Sequence, residues 1–254
     1  MIKLNTAISI VGAGNVATRL ASAFIASNVS ISHISSRTIE SSSTLADSIG
    51  AAACRIDELP ESQLTVVCVS DDLIPIVLKE INPAIPVAYT SGSVSIETLP
   101  KRAQIGVFYP LQTLTKERET ILSDVPFFIE ANSKEFCNQL VELAKKISSN
   151  VSIATSEERS KIHLTAVFVN NFVNHILYHA KAYADDNNVN FDHLMPLLFE
   201  TIEKIKSNAP SEVQTGPARR GDKQTIQTQT EALTGETKKI YEVLTESIIK
   251  TYLK

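Results

Sequence analysis

Ile8-Ser9-Ile10-Val11-Gly12-Ala13-Gly14-Asn15-Val16-Ala17 decides how the rest of the chain is read. Its first four residues form an apolar, β-branched run without clean polar alternation, as expected of a strand buried on both faces. The strand runs into G-x-G-x-x-A, and a helical period follows over Val16–Ala26. In that setting Gly12 permits a tight turn, Gly14 lets the backbone approach a pyrophosphate, and Ala17 lets the helix pack on the strand. The helix start, with Asn15 and Val16 in its first turn, adds free N–H groups and partial positive charge for the phosphates. Strand, turn and helix in this order point to a dinucleotide site.

The next strand, Ile31–Ser35, selects the dinucleotide. An NAD site places an Asp or Glu about 20 residues beyond the fingerprint, on the ribose 2′-hydroxyl. This strand ends instead in Ser36-Arg37-Thr38. A guanidinium there pairs with a 2′-phosphate and stacks on adenine, so NADP is expected, with Ser36 and Thr38 as short donors. Further strands are read at Leu64–Val69, Val87–Thr90, Ile105–Tyr109 and Phe127–Glu130, and further helices at Thr44–Ile49 and Leu73–Glu80. Ligands meet an open α/β sheet at the carboxyl ends of its strands. That adds Ser70, Asp71, Ser91 and Gly92 to the cofactor candidates, while Asp72 reads as an N-cap for Leu73–Glu80.

Composition narrows the class. The 254 residues are 43% hydrophobic with a net charge of −4, which excludes a disordered chain. No basic stripe is present to neutralise nucleic-acid phosphates. No apolar run approaches the ~18 residues of a membrane span, and no signal peptide is evident. Three scattered cysteines without C-x-x-C, and no Cys/His cluster at zinc-ligand spacing, predict a reduced cytoplasmic protein without a metal site. Glycine is scarce, 8 in the whole chain, so each one marks a place worth locating. Strand–helix alternation stops at about residue 154. The expected organisation is an α/β domain, 1–154, with a doubly wound parallel sheet, followed by an all-α domain, 155–254.

The fingerprint, the Ser36-Arg37-Thr38 and Ser91-Gly92 strand ends, and Gly106-Val107-Phe108-Tyr109-Pro110-Leu111-Gln112-Thr113 resemble a known group. They are similar to the Rossmann-like NADP-binding half of pyrroline-5-carboxylate reductase and of the deazaflavin-dependent NADP reductases. His163-Leu164-Thr165-Ala166-Val167-Phe168-Val169-Asn170-Asn171 and Gln214-Thr215-Gly216-Pro217-Ala218-Arg219-Arg220-Gly221-Asp222 resemble the helical domain of unknown function often fused to it. The resemblance implies an NADP oxidoreductase with a C-terminal domain of the 6-phosphogluconate dehydrogenase type, acting on a small-molecule substrate as a homodimer. It also implies that Ser91, Tyr109, Pro110 and Gln112 line the nicotinamide and substrate end. One departure is Tyr89, two positions before Ser91, where the family tends to have a histidine.

Helices are read at Ser156–Asp185, Phe191–Ser207, Lys223–Leu233 and Glu236–Tyr252. The first is apolar nearly all round from Leu164 to Leu177, as in a bundle or subunit interface. At about 100° per residue, Asn170 and Asn174 fall within about 20° of His163, and Asn171 about 80° round. His163 is the candidate acid/base, Asn170 or Asn171 would orient a carbonyl or imine, and Asn174 would extend the stripe. The related hydroxyacid dehydrogenases place a Lys and an Asn one turn apart here, and no such pair is in register. His175 and His179 read as structural or interface residues. Arg219 or Arg220 could hold a substrate carboxylate or phosphate, or bridge the helical domain; Asp222 reads as an N-cap. The alternative to a reductase is a non-catalytic NADP-binding sensor or scaffold that dimerises through its helices.

Overall fold

The computed structural model describes residues 7–60 and 64–253. From the N-terminus run β1 (Ile8–Val11), α1 (Asn15–Ala26), β2 (Ile31–Ser35), α2 (Ile39–Ile49), β3 (Ala52–Cys54) and β4 (Thr65–Val67). There follow α3 (Ile74–Glu80), β5 (Val87–Tyr89), β6 (Ile105–Pro110), β7 (Phe127–Ala131), α4 (Lys134–Ala144) and β8 (Val151–Ile153). The helical part comprises α5 (Ser156–Ala166), a π-helical segment (Val167–Phe172), α6 (Val173–Asp186), α7 (Met195–Ile205), α8 (Pro210–Val213), α9 (Pro217–Arg220), α10 (Lys223–Glu231) and α11 (Gly235–Tyr252).

One sheet has the order β3-β2-β1-β4-β5-β6-β7-β8. The order reverses between β1 and β4, and the crevice beyond the carboxyl ends at such a switch point is where ligands bind. β1 is buried throughout. α1 covers it with Ala17, Leu20, Ala21 and Phe24, spaced for one helical face. Phe24, Phe108 and Phe127 continue the core, with successive ring centres 5.9 and 5.2 Å apart.

Several expectations need correction. The sheet is not wholly parallel: β7 pairs antiparallel with β6. No helix separates them, so the chain can turn back beside its own strand, whereas a parallel return needs a crossover. β3, β8 and α4 escape the sequence reading. The two strands are three residues long and leave no periodicity. α4 is amphipathic, capped by Ser133, whose hydroxyl accepts from Phe136 N–H. Asp72 is not an N-cap, because Asp71–Leu73 form a 3₁₀ turn ahead of α3. Thr155 caps α5: its side chain accepts from Glu158 N–H, and Glu158 accepts from Thr155 N–H at 2.8 Å, a capping box. Gly235 opens α11. The π-helical segment interrupts the long helix, so the 100° wheel loses register beyond Ala166.

The chain divides into two compact units between Asn171 and Phe172. The change to an all-helical pattern comes earlier, at Thr155, and α5 stays with the first unit because it is fastened to the sheet. The Arg159 guanidinium, fully buried, pairs with Glu130 of β7 at 2.8 Å. In the helical unit, α9 lies against α10 and α11. Asp222 caps α10, accepting from Thr225 N–H at 3.1 Å. Ala184 and Ala218 are the only fully buried apolar side chains among the described residues of this unit. No helix in the described residues is long and apolar enough to cross a membrane.

Candidate active site

At the switch point the chain leaves β1 through Gly12, whose φ is +124° and whose N–H donates to Ser35 carbonyl at 2.7 Å. A Cβ there would collide with the Cys68 carbonyl, so only glycine allows this turn. Gly14 is the N-cap of α1; no side chain caps the helix and no acid occupies its first turn. A Cβ on Gly14 would meet nothing within 4 Å. The helix start is therefore uncapped and open beside Gly14, which fits a pyrophosphate.

A cleft of about 550 Å³ opens there, lined by Gly12, Gly14, Ser36, Arg37, Thr38 and Ser70, with Val69 and Leu73 as apolar wall. Arg37 is exposed and has no partner among the described residues. Ser36 donates to the Thr38 carbonyl at 2.7 Å, and Thr38 donates to Ser41 at 2.8 Å. An uncapped helix start, a free guanidinium and short hydroxyls suit a dinucleotide bearing a 2′-phosphate. Asn15, Val16 and Ala17 do not line this cleft: they form the first turn of α1, with Ala17 buried against the sheet.

The second part of the site forms beyond β5. Ser91 is buried, and its hydroxyl accepts from the N–H groups of Ser93 and Val94 at 3.1 and 3.0 Å. Asp71 accepts a hydrogen bond from the Ser93 hydroxyl. Ser91 and Asp71 therefore shape the turn instead of facing the cleft. A Cβ on Gly92 would lie 2.5 Å from His163 Nδ1 and 2.7 Å from Tyr109 Cζ. Glycine is what lets the turn reach these rings. Tyr109 Oη and His163 Nδ1 are 3.0 Å apart. Burial raises the Tyr109 phenol above its ordinary value, Arg159 pulls the other way, and Asp71 adds to the rise. The phenol thus keeps its proton at neutral pH.

Tyr109 and His163 border a cavity of about 770 Å³, together with Gln112, Lys161, Asn170 and Asn171. Asn170, expected beside His163, and Asn171, expected about 80° round, both line this cavity, whereas Asn174 does not. Pro110 is buried at the end of β6 and is not in the lining. Asn174, Arg219 and Arg220 belong to the helical unit. There the Arg219 guanidinium sits 4.7 Å over the Tyr252 ring, while Arg220 and Asn174 are exposed.

The sequence reading missed the Arg159 network. Besides Glu130, Arg159 donates to the carbonyls of Gly92 (3.3 Å) and Val94 (2.8 Å). Glu130 also accepts from Ser156 N–H at 3.0 Å. Tyr89 donates to the Val94 carbonyl at 3.0 Å, so it holds the turn from behind. The signal available was spacing: Arg159 lies one helical turn before His163, on the same face. Amid Glu157, Glu158 and Lys161 it reads as a surface charge.

The cofactor-sized cleft and the Tyr109–His163 contact beyond the next strands fit a dinucleotide-dependent oxidoreductase with an appended helical unit. Comparison with known proteins agrees. Residues 7–99 match the family model described as NADP oxidoreductase coenzyme F420-dependent, and residues 125–248 match a domain of unknown function, DUF2520. A crystal structure from Bacteroides fragilis, titled "putative NADP oxidoreductase BF3122", is 34% identical over 97% of this chain and 98% of that one, with a TM-score of 0.88. The protein TM1727 from Thermotoga maritima is 23% identical over 96% of each chain, with a TM-score of 0.70. An imine reductase from Myxococcus stipitatus in complex with NADP+ shares the fold at 14% identity, with a TM-score of 0.67 over 98% of this chain and 100% of that one. No curated protein matches the sequence. The chain belongs to the NADP oxidoreductase family that contains the Bacteroides protein.

Proposed function

We propose that this protein reduces a small imine or carbonyl compound with NADPH. The reading rests on the Tyr109–His163 pair, 3.0 Å apart, against a glycine turn at the carboxyl edge of the sheet. NADPH supplies a hydride to the substrate carbon, and the heteroatom then needs a proton. With Nδ1 engaged by Tyr109, Nε2 is the ring atom of His163 free to deliver it. Asn170 or Asn171 orients the C=N or C=O group. Gly12, Gly14 and the first turn of α1 hold the pyrophosphate, and Ser36, Arg37 and Thr38 hold the 2′-phosphate. Arg219 is engaged with the Tyr252 ring inside the helical unit.

We assign cofactor binding to residues 1–154, and substrate contacts and dimerisation to 155–254. The helical unit buries almost no apolar side chain within the chain, and Leu197, Phe199 and Val243 are each more than half exposed. That pattern supports a second copy as cover. Three free cysteines, two of them buried, suit the reducing cytoplasm.

The test follows NADPH oxidation at its nicotinamide absorbance with cyclic imines, ketones and ketone–amine pairs. Turnover that collapses in Tyr109→Phe and His163→Ala while NADPH still binds supports the assignment. Tight NADPH binding without turnover on any substrate would favour the sensor reading. Failure to bind NADPH overturns both.

A further inference from the structure

We propose that His175 and His179 of α6 form a two-ligand site for a divalent transition-metal ion such as zinc, copper or nickel. They stand four residues apart, on one helix face. Their Nε2 atoms are 3.2 Å apart. With Zn–N bonds of ~2.0–2.1 Å, that separation corresponds to an N–metal–N angle of about 100°, close to tetrahedral. The ring centres are only 4.6 Å apart and the planes cross at 87°. Two Nε2 atoms in line between their rings, as in a straight N–H···N bond, would hold the centres further apart. Here they converge to one side, where a shared ion would sit.

The surroundings support the pair as ligands. His179 Nδ1 lies 2.9 Å from Thr237 Oγ1 of α11. Such an outer contact fixes the ring and leaves Nε2 for the metal. The charged neighbours are Glu236 and Lys239, both from α11 and paired at 2.6 Å. Lys239 first, and His179 last, hold the Glu236 carboxyl below its ordinary value. The lysine charge is thus largely answered before an ion arrives. Tyr178 stacks on His175 with ring centres 6.0 Å apart. His175 is exposed, so water can complete the coordination. Among the described residues no group of three or more His, Cys, Asp or Glu gathers around a common point. The site is therefore a chelating pair, weaker than a four-ligand structural centre. Imidazole donors select zinc, copper or nickel over magnesium or calcium.

An ion held across one turn of α6 binds the folded helix better than the unfolded chain, so it raises Tm with concentration. This does not depend on cofactor or substrate. The experiment titrates the full chain, free of any polyhistidine tag, with zinc chloride and with copper sulfate, by calorimetry and by the copper visible spectrum. One ion per chain is expected. His175→Ala, at an exposed position, and His179→Ala should each weaken binding at least ~10-fold and abolish the metal-dependent rise in Tm. No saturable binding up to millimolar metal, or unchanged binding in the double variant, would show the pair to be only a hydrogen bond and overturn the proposal.

Discussion

Gly92 shows how little room the candidate site leaves at one atom. A methyl group there would press on both His163 and Tyr109, and the turn is held from behind by Arg159 and Tyr89, so it cannot simply retreat. Gly92→Ala is expected to cost about 100-fold in kcat through misplacement of the pair, with NADPH affinity nearly unchanged; steady-state kinetics beside a fluorescence titration checks this. Arg37 acts on the other half of the site. Removing a charged hydrogen-bond partner costs about 1.5–3 kcal/mol, so Arg37→Ala should weaken NADPH by roughly 10- to 150-fold and leave NADH unchanged. Equal loss for both cofactors would remove Arg37 from the 2′-phosphate.

At the scale of elements, α5 matters most. Its start is fixed by the capping box of Thr155 and Glu158 and by Glu130 on Ser156 N–H. One turn later Arg159 ties it to the Gly92–Val94 turn. The distance between that turn and His163 is therefore set by a buried ion pair and not by the helix alone. Breaking such a pair leaves an uncompensated charge and typically costs about 3–5 kcal/mol. Arg159→Met should lower stability by that order in urea unfolding. Arg159→Lys keeps the charge but cannot span both carbonyls and the carboxylate, so it should recover stability better than kcat. Equal recovery of both would make Arg159 structural only.

For the whole molecule two consequences follow. Burial raises the Cys68 thiol from 9.0 to about 12, and it raises the buried Tyr89 phenol well above its ordinary 10.0. Above pH 9 the unfolded chain loses these protons while the folded chain keeps them, so stability falls as pH rises. Tm should decline from pH 9 towards pH 12, and more gently in Cys68→Ala, by scanning calorimetry across that range. The second consequence concerns assembly. Phe199→Glu should shift the dimer proposed above towards monomer in sedimentation, since charge on a covered apolar face is costly. An unchanged sedimentation coefficient would place the interface elsewhere.

What the sequence determined by itself was local. G-x-G-x-x-A between a strand and a helix, and an arginine where an acid would read NAD, need only neighbours along the chain to be understood. So do the strands long enough to show a pattern and the Asp222 cap. Tertiary structure decided the rest, because it depends on residues far apart in sequence. β7 turned antiparallel where no helix intervened. A π-helical segment broke the wheel used to align His163 with the asparagines. Gly106, at the start of the stretch shared with the reductases, lies under Leu140 of α4. The partnership of Tyr109 with His163, 54 residues apart, and of Arg159 with Glu130, 29 apart, left no mark in either local stretch. Side-chain spacing is written along one element, whereas a site that joins strand ends to a helix is set by how the elements pack.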